Sequence, residues 1–199
     1  VRSLIALASS DRSPEGLRNR AMLLTLATTG LRVSELTSLD VQDVDLERGE
    51  LVVRRPNGRE RRVPLVPEAA EALREYLDRA RPLFAPAKTE QAVFLNHRGT
   101  RLTRQGFWLI LKGYAEAAGL PDVTPHTLRH TFAVQALANG WDLRDVQRVL
   151  GHVSPATTQV YRQLVEQIIQ PDGQVPAHAE YFERVSDEKG AATSRVTRR

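Results

Sequence analysis

Residues 41–65 read VQDVDLERGELVVRRPNGRERRVPL, and they decide what kind of fold this chain can have. Three short β-type runs stand in them: VQDV at 41–44, ELVVR at 50–54 and RRVPL at 61–65. Arg48-Gly49 and Pro56-Asn57-Gly58 separate the runs with turn formers. Runs this short, joined by turns this tight, predict antiparallel pairing, because a parallel pair needs a crossover of about a dozen residues or more. On both sides the apolar period becomes helical. The expected class is therefore α+β, a mostly helical domain with a small three-stranded antiparallel sheet on one side.

Upstream, Leu17 to Thr29 is apolar almost all round, which suits a buried helix, and Gly30 is a natural C-terminal stop. A helical turn, LRVSEL, follows it. Downstream, Ala69, Leu73, Tyr76, Leu77 and Ala80 mark one face of an amphipathic helix. A proline-containing link leads to a short β-type piece, AVFLN. In the next helix Thr103 is the expected N-cap, Phe107, Ile110, Leu111 and Tyr114 the inner face, and Gly119 the stop. From Thr127 three more helices are expected, punctuated by Ala138-Asn139-Gly140 and Gly151-His152, with Asp142 and Ser154-Pro155 as fresh starts. Beyond Gln170 the residues turn polar, so 1–170 is read as the domain and 171–199 as a mobile tail.

The chain has 199 residues, 41% of them hydrophobic and 26% charged, which suits a soluble globular domain. No signal peptide or membrane-length apolar run is visible and cysteine is absent, so a cytoplasmic setting is expected. Net charge is +4, yet lysine occurs only at Lys88, Lys112 and Lys189. Nearly all the positive charge is arginine, whose planar fork suits phosphate. An arginine-rich genome accounts for the composition equally well. The chain starts at Val1 rather than Met, so it is expected to be part of something longer.

Some polar residues fall outside the packing pattern. In TPHTLRH, His126 and Arg129 lie three apart and share a helix face, while Leu128, Phe132 and Ala136 form an apolar one. A lone histidine there would be a cap or a core residue. His126 and His130, four apart, raise zinc, but the companion Glu and further ligands are lacking. Arg32 follows the buried helix with Glu35 three residues on, a spacing that an ordinary surface pair also has. LGHVSPATTQVY, 150–161, holds His152 and, nine residues later, Tyr161, which alone suits packing as well as chemistry.

Together TTGLRVSELTSLDVQDVDL, HTLRHTFA and LGHVSPATTQVY resemble, in order and spacing, the three motif regions of the tyrosine recombinase or phage integrase family in its Xer-like form. The resemblance runs from about residue 1 to 168. It implies a catalytic domain that cuts and rejoins DNA strands through a 3′-phosphotyrosyl intermediate, with Tyr161 as nucleophile. Arg32 and Arg129 would clamp the non-bridging phosphate oxygens, and His126 and His152 would donate hydrogen bonds or move protons there. Glu35 would hold Arg32 in position, and His130 would play a supporting part. Neither metal nor any other cofactor, ATP included, is implied. The implied partner is double-stranded DNA, bound by a tetramer on two sites, with the helix after Tyr161 (QLVEQII) docking on a neighbouring subunit.

One family position departs. The hairpin lysine that protonates the leaving 5′-oxygen is missing, and Pro56 falls near its place. Arg54, Arg55 or Arg59 would reach the phosphate, but arginine is a poor proton donor. The family's N-terminal helical domain is also expected to be absent from this chain, which predicts weak, salt-sensitive DNA binding. The arginines around 101–104 and 144–148 are plausible contacts, or simply solvated charges. Two rivals are a non-catalytic helix-turn-helix protein built on WDLRDVQRVLGHVSPATTQVY and a type IB topoisomerase.

Overall fold

A helix that is buried on nearly every side organises the first part of the chain. This is α2, Pro14–Thr29, in which Ala21, Met22, Leu23, Leu24 and Leu26 are all buried. Ser13 opens it by accepting from the Gly16 N–H, Pro14 sits in the first turn, and Gly30 ends it in the left-handed conformation at φ 61°. The computed structural model describes residues 1–54, 58–85 and 90–152. Two compact units divide the chain, Val1–Phe132 and Ala133–Arg199.

In the first unit α1 (Arg2–Ser10) packs on α2 through Leu4 and Ala8. The sequence pattern gave no notice of α1: two buried positions and no side-chain cap are a faint signal. After α2 come α3 (Val33–Thr37), then β1 (Val44–Asp45), β2 (Glu50–Arg54) and β3 (Glu60–Pro64) in an antiparallel sheet of order β1-β2-β3. Leu51 pairs with Val63 and Val53 with Arg61, so the inner face carries Leu51, Val53 and Val63 into the core. The predicted first strand, 41–44, shrinks to a two-residue β1 preceded by a 3₁₀ turn, Val41–Asp43. The cause is local: the buried Asp43 carboxylate accepts the Asp40 N–H at 2.9 Å and closes a turn.

Helix α4 (Pro67–Glu75) continues through a π-helical turn, Tyr76–Ala80, into α5 (Arg81–Phe84). Across the π turn Tyr76 and Ala80 stay buried while Leu77 is only half-buried. The predicted strand AVFLN is a correction of a different kind. Ala92, Val93, Phe94 and Leu95 are fully buried, but they form only the isolated bridges Asp40↔Ala92 and Leu95↔Arg101. Side chains complete the accounts of this backbone. Tyr76 Oη donates to Val93 O at 3.0 Å and accepts from Leu95 N at 3.2 Å; Arg18 donates to Leu95 O and Arg81 to Ala92 O.

Helix α6 (Arg104–Ala117) starts at Thr103, which accepts from Gly106 N, and buries Phe107, Leu111 and Ala115. Helix α7 (Pro125–Ala138) runs across the boundary between the units. It begins two residues earlier than Thr127, because Thr124 and Thr127 cap one another: each accepts the other's N–H at 3.2 Å. In the second unit Asp142 caps α8 (Leu143–Leu150), accepting from Arg144 N at 2.7 Å, and Gly151 closes it at φ 67°. Ser154-Pro155, Tyr161, QLVEQII and the 171–199 tail lie outside the described residues. No helix among the described residues is long and apolar enough to cross a membrane.

Candidate active site

The chain turns sharply where α2 ends. Gly30 takes the left-handed conformation, Leu31 drives into the core at 1% exposure, and Arg32 then extends at φ −74°, ψ 151° as the residue before α3. A glycine is needed at that φ, and the buried leucine leaves Arg32 facing outward, its side chain 47% exposed. Glu35, three residues into α3, accepts the Arg32 backbone N–H at 2.8 Å and so fixes the entry of the helix. Its contact with the Arg32 guanidinium is looser, at 3.5 Å.

Arg129 reaches the same turn from the far end of the chain. It is 6% exposed, and its Nη1 donates to the carbonyl of Gly30, 99 residues away in sequence and two before Arg32. That carbonyl belongs to the C-terminal end of α2, where acceptors are left over and the helix field favours a cation. The structure therefore brings the Arg129 side chain, from α7, to the turn that leads into Arg32. His126, on the second residue of α7, is exposed in the helix's first turn, and His130 is half-buried one turn later. His126 and Arg129 thus share a helix but not an environment. Among the described residues no group of three or more His, Cys, Asp or Glu gathers as metal ligands.

Glu35 has a partner that sequence reasoning missed. Arg61 on β3 donates Nη1 to Oε1 at 2.8 Å and Nη2 to Oε2 at 2.9 Å, a bidentate fork with both side chains about nine-tenths buried. Burial pushes the Glu35 carboxyl up, but hydrogen bonds from Arg61 and the Arg32 N–H, with both positive charges, hold it below the ordinary carboxylate range. The available signal was the strand alternation. Residues 61 and 63 share a face, so Arg61 had to turn inward with Val63.

The other hairpin arginines are placed differently. Arg54 bonds Asp43 and, at 2.9 Å, Glu60, so two carboxylates already hold it. Arg59 is exposed, and Arg55 and Pro56 lie outside the described residues. Arg101, expected on a DNA-facing helix, precedes α6 and braces the loop after α3, donating to Thr37 O, Leu39 O and Asp40. Arg104 and Arg144 are exposed, and Arg148 pairs with Asp145 at 3.1 Å. His152 closes α8, its N–H donating to Gln147 O at 3.0 Å, and belongs to the second unit; Tyr161 lies outside the described residues.

The profile of the Phage integrase family matches residues 1–167. The Herpetosiphon aurantiacus tyrosine recombinase XerC is 55% identical over 161 residues, which are 81% of this chain and 53% of that protein. The chain spans about half the length of the curated relatives it matches. Among solved structures, XerA recombinase is 37% identical at a TM-score of 0.72 over 83% of this chain and 62% of that one. XerH site-specific recombinase, bound to its palindromic difH substrate after cleavage, is 25% identical at the same TM-score, covering 83% and 48%.

Proposed function

Because this chain belongs to the phage integrase family, we propose that it supplies the catalytic domain of a site-specific DNA recombinase. Tyr161 attacks the scissile phosphorus, the P–O5′ bond breaks, and a 3′-phosphotyrosyl ester forms with release of a 5′-hydroxyl. A second 5′-hydroxyl reverses the step and reseals the strand. A phenol of pKa about 10 is roughly 0.1% ionised at neutral pH, so the reaction depends on a site prepared for negative charge. Arg32 and Arg129 supply that charge as forked donors, and His126 and His152 donate to the phosphate or move protons beside it. Phosphoester energy is kept in the covalent intermediate, so no ATP enters. The two guanidinium groups carry the positive charge that a metal ion supplies in many nucleases.

The observation that carries the reading is the bond from Arg129 to Gly30 O, which draws the HxxR arginine to the turn that bears Arg32, just before the helix that carries Glu35. The partner is double-stranded DNA. The XerH structure holds that protein on its difH DNA, which favours the same class of ligand here. We assign the working form as a tetramer on two DNA sites, the segment after Tyr161 docking on a neighbouring subunit, in the cytoplasm.

Trapping tests it. With a nicked duplex that loses its 5′ product, the chain forms an adduct that survives denaturation and persists in EDTA, and Tyr161→Phe abolishes it. DNA binding without any adduct would leave a non-catalytic helix-turn-helix protein instead.

A further inference from the structure

A charged side chain on the core-facing side of a hairpin has to be compensated, since an unpaired buried charge is among the costliest things a fold can hold. Arg61 is such a residue, paired across the sheet with Val53 and flanked in the same face by Val63. Its compensation is the carboxylate of Glu35, gripped at both oxygens at 2.8 and 2.9 Å.

The consequence falls on Arg32. At three residues' separation across the start of α3, Glu35 would by default be the ion-pair partner of Arg32. It instead spends its short contacts on Arg61 and on the Arg32 backbone N–H, and the Arg32 guanidinium approaches it only to 3.5 Å. A carboxylate paired with Arg32 alone would cancel its charge, and an incoming phosphate would have to displace that carboxylate. With Arg61 holding both carboxylate oxygens, Glu35 has less to offer Arg32, whose guanidinium stays exposed.

We propose that Arg61 is a positioning residue for strand cleavage: acting through Glu35, it occupies the carboxylate that would otherwise close on Arg32 and keeps the Arg32 fork open for the scissile phosphate. This rests on the reading that the chain cleaves DNA through Tyr161. Arg61 itself touches no DNA in this account, because its donors are turned into the protein against Glu35.

The test uses the full chain and the nicked duplex, with adduct formation followed in single turnover at saturating DNA. Wild type is measured first; absence of a Tyr161-dependent adduct there overturns the cleavage reading and the proposal with it. Given an adduct, Arg61→Gln slows its formation roughly 10- to 100-fold, the cost of a misplaced clamp, while half-saturation by DNA barely moves. Arg61→Lys recovers part of the rate. The decisive variant is Arg61→Gln with Glu35→Gln, in which no carboxylate remains to close on Arg32. It cleaves faster than Arg61→Gln alone, and as an uncharged pair of similar shape it also guards against a folding failure of the single variant. A double variant no faster than Arg61→Gln, an unchanged rate in Arg61→Gln, or a loss confined to DNA half-saturation would each overturn the proposal.

Discussion

Glu35 concentrates what single residues do here, and pH gives access to it. Its carboxyl is held below the ordinary range in the folded protein, so it contributes stability that is present above the unfolded value of about 4.5 and is lost as pH falls through the lower folded value. Thermal melts from pH 7 down to pH 3 should show wild type losing stability across that window, with a shallower fall in Glu35→Gln; parallel curves would show that the fork with Arg61 carries no such linkage. Tyr76 is the opposite kind of group. Its phenol is fully buried, bonded to Val93 O and Leu95 N, and burial pushes it up to about 12, so it stays neutral as a brace. Tyr76→Phe leaves both backbone groups unpaired and should cost about 1–3 kcal/mol in denaturant melts; a cost near zero would mean that water or a shift of the loop replaces the hydroxyl. The candidate site residues differed in legibility. Arg32, Glu35 and Arg129 stand in motifs that the family resemblance names. Arg61 was not legible, because a charged residue in a strand reads as an outward one until its partner across the fold is known.

At the scale of elements, β2, β3, α6 and α8 were legible because each carries a period together with a cap or a turn glycine, and α2 because a long apolar run lies between Ser13-Pro14 and Gly30. The elements that escaped are held by other means. AVFLN is as apolar as a strand, but Arg18, Arg81 and Tyr76 satisfy its backbone from elsewhere in the chain, and no local pattern reports that. The hairpin also raises the question of the leaving group. Arg54 there is tied to Asp43 and Glu60, and Pro56 falls near the place where the family carries a lysine. If the 5′-oxygen leaves without a good acid, Pro56→Lys should raise single-turnover cleavage, toward the roughly 100-fold or more that a positioned acid contributes. A duplex with sulfur in the bridging 5′ position separates causes, because a thiolate leaves without a proton. On that substrate wild type and Pro56→Lys should cleave alike. Equal rates on the oxygen ester as well would mean that another group already delivers the proton.

Across the whole molecule the arginine content has a different meaning from the one its composition suggests. Several of the positive charges are consumed internally: Arg18, Arg81 and Arg101 on backbone carbonyls, Arg20 on Glu75, Arg61 on Glu35. An arginine whose fork is filled by carbonyls or carboxylates neutralises no phosphate, so pI overstates the field that DNA would meet. Among the described residues Arg32, Arg104 and Arg144 are some of the exposed arginines, and these three alone would make about three phosphate contacts. Counterion release then assigns these three a share of about −3 in the slope of log affinity for duplex DNA against log salt. That share alone is a loss of roughly 60-fold in affinity between 50 and 200 mM salt, and binding at physiological salt should be weak. Fluorescence anisotropy across a salt series measures both quantities. Arg104→Ala should make the slope shallower by about 1, whereas Arg101→Ala should leave the slope unchanged and lower the melting temperature, because Arg101 holds Thr37, Leu39 and Asp40 together. Nanomolar binding at physiological salt with a steep slope would overturn the expectation of weak binding and require phosphate contacts well beyond these three.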